Sequence, residues 1–310
     1  MNTRERLWEV RETAPPRASY EELEIRTEDG VALRALLDDP PEGTDVKGTI
    51  VLAHAMFARK SSFGKRDAPG LAGAIRSAGF RTIAFDFRGH GDSTLPKERA
   101  DWGYDELVRF DLPAVVGCAR AHSDERPVIV VGHSLGGHVA LAAQGTGRLD
   151  ADAIVGVAAN VWLPELEPSR VRRLAKCLTT KVTLTLADRF GRVPARRFRF
   201  GSDDAAHAYI HDLFRVVTKE RWESTDGNDD YFAALANVRI PVANVLGSRD
   251  LLMCTPAAGE AFIARCRGPV RTFHADAGHM DLVKRPDARA RILDAIAWAL
   301  RSLASTTPRV

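Results

Sequence analysis

The sequence predicts an α/β protein with a mostly parallel, eight-stranded sheet flanked by helices, and three observations carry that prediction. Short runs of β-branched and apolar residues, among them Gly48–Ala55 and Val128–Val131, read as strands buried on both faces and alternate with helical patterns. Gly132-His133-Ser134-Leu135-Gly136 lies between one such run and an Ala-rich helix beginning near Leu135. About 80 residues separate two late strands where a plain crossover needs roughly a dozen, so an inserted, largely helical segment is expected there.

The totals bound the class. A chain of 310 residues accommodates one large α/β domain with an insertion. A hydrophobic fraction of 45% with 27% charged residues is ordinary for a globular protein, and a net charge of +3 is too small to imply a nucleic-acid partner. Cys118, Cys177, Cys254 and Cys266 lack Cys-x-x-Cys spacing, which argues against a zinc site and a disulfide framework and for free thiols. Charges run through Met1–Glu12, and no stretch approaches the roughly 18 apolar residues of a membrane span, so a cytoplasmic protein without a span is expected. Oligomeric state is left open.

In chain order, residues 1–18 form a charged lead-in closed by Pro15-Pro16. Alternating segments at Tyr20–Arg26 and Val31–Leu37 flank the turn Glu28-Asp29-Gly30 and predict an antiparallel hairpin at the sheet edge. Gly48–Ala55 is a buried strand, Leu71–Ala78 a helix stopped by Gly79, and Arg81–Asp86 a second buried strand. Trp102–Asp105 belongs to a loop, and Asp111 is expected to cap a helix that carries Pro113 in its first turn and runs to about Ala121. Ala153–Asn160, Val242–Gly247 and Val270–His274 are strands, and apolar spacing through Ile292, Ile296, Leu300 and Leu303 gives a final helix over Ala288–Leu303. The boundaries are residues 1–160 for the first part of the core, 161–237 for an inserted cap and 238–310 for the second part. Within the cap, Val171–Leu186 and Ala205–Val217 have helical patterns.

Gly-x-Ser-x-Gly between a strand and a helix is the pattern of a nucleophile elbow. The sharp turn holds Ser134 in a strained conformation, and Gly132 and Gly136 leave space where a Cβ would clash. The Leu135 amide, at a helix N-terminus, then points to where negative charge develops on an attacked carbonyl oxygen. Together with Asp86-Phe87-Arg88-Gly89-His90-Gly91-Asp92-Ser93, this elbow resembles the α/β-hydrolase superfamily. The resemblance covers about residues 20–160 and 238–305 and does not reach the cap. It implies an α/β-hydrolase fold, and an architectural part for Arg88 and Asp92; His90 is read as a loop residue.

A serine hydroxyl is a weak nucleophile and needs a base, with an acid to orient that base. Gly247-Ser248-Arg249-Asp250 puts an acid after one strand, and Ala277-Gly278-His279 puts a histidine after the last. Ser134, Asp250 and His279 thus follow the order serine, acid, histidine of this fold, and the resemblance gives them the catalytic triad. Asp276 and Asp281 are rival acids. The second oxyanion amide is expected in His54-Ala55-Met56-Phe57, where Ala55 replaces the glycine usual in the family; Met56 is favoured, with Phe57 next. Phe57 and His133 are the candidate walls of the substrate pocket. His54, His133 and His138 form no metal-ligand pattern, and neither metal nor cofactor is proposed.

These parts describe a serine hydrolase cleaving a carboxylic ester through an acyl-enzyme. The partner is a small-molecule acyl substrate. Residues 170–199 carry ten Lys and Arg against the single acid Asp188, a field suited to an anionic or carrier-bound substrate but more commonly a solvated helix face. Apolar residues between those charges, Leu174, Leu178, Val182, Leu184, Leu186 and Phe190, are read as packing. A thioesterase or acyltransferase using the same acyl-enzyme, and a non-hydrolytic binding protein on the same scaffold, stay open.

Overall fold

A computed structural model describes residues 20–65 and 67–306; the expected lead-in at 1–18 lies outside them. Among the described residues, ten strands occur in the order β1 (Tyr20–Arg26), β2 (Ala32–Asp38), β3 (Thr49–Ala53), β4 (Arg81–Phe85), β5 (Val128–His133), β6 (Ala153–Val157), β7 (Arg192–Val193), β8 (Ala205–Ala206), β9 (Val242–Gly247) and β10 (Val270–Ala275). Eight of them form one sheet in the spatial order β1-β2-β4-β3-β5-β6-β9-β10, and β7 pairs only with β8. The hairpin β1–β2 is antiparallel and joins β4 antiparallel; every other pairing in the large sheet is parallel.

The unbroken apolar runs follow from burial on both faces. Alternate residues feed two cores: Val51, Ala53, Val128 and Val130 face one, while Ile50, Leu52, Ile129 and Val131 face the other. The helices Leu112–Ala121 and Leu135–Gly145 cover the first face; Gly70–Ser77 and Pro286–Thr306 cover the second, through Leu71, Ile75, Ile292 and Ile296. Among the described residues, no helix is long and apolar enough to cross a membrane.

Two local expectations change. Asp111 does not cap its helix. A short helix begins at Tyr104 and passes through a wide π-type turn, Leu107–Asp111, into Leu112–Ala121. The Asp111 carboxylate is recruited instead by Arg88, accepting from its backbone N–H at 2.9 Å and from Nε at 2.8 Å. Arg88 also donates to Asp29 at 2.8 Å, so this buried guanidinium ties the β1–β2 turn to the loop after β4, consistent with the architectural part expected of it. Lys60 similarly binds the buried Asp86 at 2.5 Å and also contacts Asp92.

The second change concerns the segment between β6 and β9. Its two long helices are Arg170–Phe190 and His207–Lys219, which pack against each other, with β7 and β8 between them in sequence. Ser169 caps the first, accepting from the Arg172 N–H, and Gly191 ends it in the left-handed conformation at φ 69°. Leu174, Leu178 and Val182, expected as packing, are instead exposed at 53–60%, because they share the outward face while Thr180, Leu184 and Ala187 turn inward.

Candidate active site

Ser134 follows β5 directly, with φ 50° and ψ −108°, a conformation that costs on the order of 1–3 kcal/mol in a residue other than glycine. It is held from two sides. Its N–H donates to the Val157 carbonyl of β6 at 2.8 Å, and the Gly136 N–H donates to the His54 carbonyl beyond β3 at 3.2 Å. The helix start lies so close to β3 that a Cβ on Gly136 would stand 2.2 Å from the Ala53 carbonyl oxygen. These contacts set the serine between the loops that follow β3 and β6.

The acid and the base come together across the neighbouring strand ends. After β9, the N–H groups of Ser248 and Arg249 donate to the carbonyls of Ala275 and Ala277 at 2.9 and 3.1 Å, joining this loop to the one after β10. His279 Nδ1 then meets Asp250 Oδ2 at 2.5 Å, with both side chains nearly buried. The other Asp250 oxygen accepts from the Met253 N–H at 2.9 Å, which fixes the carboxylate's rotation. Asp276 is turned outward onto Arg249, and Asp281 opens the next short helix, so neither competes for the imidazole.

His133 is fully buried, and burial pushes its pKa down to about 3, so the ring is neutral. Its Nε2 donates to the His279 backbone carbonyl at 3.1 Å, and the two rings lie 5.1 Å apart. His133 does not line the cavity beside Ser134, which departs from the pocket role expected of it; it lies behind His279 instead. Among the described residues, Ser134 and His279 share no hydrogen bond.

The loop after β3 is shaped by His54, fully buried and held well below its usual pKa, mainly by desolvation. His54 Nε2 accepts from the Phe87 N–H at 3.0 Å, so Nδ1 carries the proton and donates to the Ala55 carbonyl at 2.8 Å. The same carbonyl accepts from the Ala58 N–H at 3.1 Å, closing a turn: among the described residues, the N–H groups of Met56 and Phe57 inside it have no protein acceptor, nor has the N–H of Leu135 at its helix start. Phe57 takes φ 59°, uncommon without glycine. Ala55 is thus accommodated because the bend falls two residues later.

Ser134, Met56, Phe57 and Leu135 line one cavity of about 310 Å³ roofed by the two inserted helices through Thr180, Tyr209, Leu213 and Val216. Trp222, Tyr104 and His138 form part of its wall, with Tyr104 Oη hydrogen-bonded to His138 Nδ1 at 2.9 Å. Asn160 also lines it, and the Asn160 Nδ2 is buried with no partner among the described residues. None of the ten basic side chains of residues 170–199 lines this cavity. Lys176 is buried elsewhere, paired with the buried Glu167 at 3.0 Å.

The sequence profile of the Alpha/beta hydrolase family matches residues 50–292, a span containing the elbow, Asp250 and His279. The chain belongs to the alpha/beta hydrolase family. The fold of this alpha/beta hydrolase is similar to that of a soluble variant of monoglyceride lipase from Saccharomyces cerevisiae, with TM-score 0.61, 18% identity, and coverage of 94% of this chain and 96% of that one. It is likewise similar to the Pyrococcus furiosus esterase Pf2001, with TM-score 0.59, 18% identity and 91% of each chain covered. At such identities the likeness is one of fold. A segment of 66 residues is 39% identical to the lysophosphatidylserine lipase ABHD12 of Xenopus tropicalis; it spans 21% of this chain and 16% of that protein's length.

In this alpha/beta hydrolase the inserted segment is fastened to the loop after β3. The Phe57 carbonyl accepts from the Ser202 and Asp203 N–H groups at 2.8 and 3.1 Å. Arg59 grips Asp203 through two 2.7 Å hydrogen bonds and the Ser202 carbonyl through a third. Sequence reasoning missed this clamp because its halves are 144 residues apart, and no local pattern links an arginine in one loop to an aspartate in another.

Proposed function

We propose that the protein is a serine hydrolase that cleaves carboxylic esters through an acyl-enzyme, with Ser134, His279 and Asp250 as its triad. The observation that carries this reading is the Asp250–His279 hydrogen bond on Nδ1, which puts the proton there and leaves the Nε2 lone pair free for the serine. His279 Nε2 takes the Ser134 proton as Oγ attacks the ester carbonyl, and Asp250 stabilises the imidazolium. The unpaired amides of Leu135 and Met56 receive the oxyanion, each charge-assisted hydrogen bond strengthening as negative charge grows. His279 then protonates the leaving alkoxide; it next deprotonates a water that releases the acid and regenerates the serine. Hydrogen bonds between serine and base commonly tighten only when substrate is bound, in keeping with the open Ser134–His279 pair.

Residues 161–237 act as the cap, on the core parts 1–160 and 238–310. The cavity favours an uncharged, apolar acyl group over an anionic one. Its walls carry aromatic and aliphatic side chains, no Lys or Arg, and the acids Asp212 and Glu223. The basic run of the cap therefore has no support as a substrate contact. Met56 serves as both wall and amide donor, and Phe57 as wall. His133 acts by positioning His279.

The test is hydrolysis of p-nitrophenyl acyl esters from acetate to a long chain by the wild type and by Ser134→Ala. Turnover lost in the variant supports the acyl-enzyme. Equal turnover by both, or none by the wild type with any ester, overturns the reading.

A further inference from the structure

The two cap helices meet at a cluster that the triad does not use. Asp188 lies in the last turn of Arg170–Phe190; His207 and His211 lie one turn apart on His207–Lys219. Asp188 Oδ1 is 2.8 Å from His207 Nε2 and 3.1 Å from His211 Nε2, and the two nitrogens are 3.0 Å from each other. Three ligand atoms therefore converge on one point. Protons cannot satisfy all three contacts: if both imidazoles donate to the carboxylate, nothing bridges the two nitrogens, and if one donates to the other, the carboxylate loses a donor.

We propose that Asp188, His207 and His211 bind a divalent transition-metal ion of the zinc type and that the ion staples the two cap helices together. An ion about 2.0–2.1 Å from each atom would sit about 1 Å off their plane with ligand–metal–ligand angles of roughly 85–100°, so the three atoms need to spread by only a few tenths of an ångström to form three corners of a tetrahedron. Two imidazoles with one carboxylate suit zinc and its neighbours and are poor ligands for calcium or magnesium. Room for a fourth ligand exists: Asp188 and His207 line an open cleft of about 530 Å³. The other acids of that cleft are engaged, Asp203 with Arg59, Asp204 with Arg196, and Asp101 with the Ala208 N–H at 2.8 Å. The same helices roof the Ser134 cavity, so the staple would hold the roof in register.

The experiment uses the full chain, stripped with a chelator and titrated with Zn²⁺ by calorimetry and with Co²⁺ by visible absorption. One equivalent should bind, and His207→Ala and His211→Ala should each weaken binding by more than about tenfold, since even indirect partners of a metal site are worth 10–100-fold. Ser134→Ala should bind as the wild type does, which separates this site from the triad. With Zn²⁺, proteolysis in the 191–206 connection should slow several-fold, and His211→Ala should abolish that protection while melting normally in chelator. No saturable equivalent, binding indifferent to the His207→Ala/His211→Ala double substitution, or unprotected proteolysis with the ion bound would overturn the proposal.

Discussion

His133 Nε2 donates to the backbone carbonyl of His279 at 3.1 Å, so the residue preceding the proposed nucleophile holds the segment that carries the proposed base. A hydrogen bond to the backbone fixes where the imidazole stands without touching its reacting nitrogen. His133→Ala should therefore lower kcat by about tenfold to a hundredfold with KM little changed, the size expected from a base displaced by about 1 Å. Steady-state kinetics with the preferred p-nitrophenyl ester, alongside a melting curve, provide the check. An unchanged kcat in a folded variant would remove the positioning role.

Asp250 has one oxygen on His279 and the other on the Met253 N–H. Asp250→Asn keeps its shape but presents an amide N–H to one of these donors and favours the wrong imidazole tautomer. If Asp250 is the triad acid proposed above, kcat should fall by about four orders of magnitude with the fold intact. A loss below tenfold would point to a different acid.

Two deeply buried histidines give stability a pH dependence. Burial pushes the pKa of both His133 and His138 from 6.5 down to about 3. Between those values the unfolded chain binds more protons than the folded one, so their contribution is complete above pH 6.5 and is lost as the pH falls toward 3. Each adds a slope of up to about 1.4 kcal/mol per pH unit. Urea midpoints measured at pH 7 and pH 5 should drop for the wild type and drop less for His138→Gln.

The Arg59–Asp203 pair joins the loop carrying Met56 and Phe57 to the segment inserted between β6 and β9. Removing either partner should loosen both. In a double-mutant cycle with Arg59→Ala and Asp203→Ala, the two changes should be non-additive by about 0.5–3 kcal/mol in kcat/KM. Additivity would mean that the inserted segment and that loop move independently.

At the elbow, a Cβ on Gly136 would press on the Ala53 backbone, which belongs to a central strand and cannot move aside. Gly136→Ala should destabilise the fold by about 1–3 kcal/mol or more, read as a lowered urea midpoint.

The core was legible because its signals are local. Continuous apolar runs marked strands buried on both faces, and Gly132, Ser134 and Gly136 marked one strained turn between strand and helix. Asp250 and His279 were legible because each follows a strand end in chain order. What escaped depends on distant partners. Asp111 has the look of a cap, but the buried Arg88 outcompetes a helix end for its carboxylate. Leu174, Leu178 and Val182 have the spacing of a packed face, yet that face points outward while Thr179, Thr180 and Thr183 of the same helix line the cavity. The His207-x-x-x-His211 spacing is visible in the sequence, but Asp188 joins it only once the two helices are side by side.

The hydrogen bonds from Ser202 and Asp203 to the Phe57 carbonyl have a consequence for hybrid proteins. A foreign roof grafted between β6 and β9 would meet a Phe57 carbonyl with no donors and an Arg59 with no carboxylate. Transplants that keep Ser202 and Asp203, or that exchange residues 55–59 together with the roof, should retain a formed reaction centre; transplants cut at the strand ends alone should not.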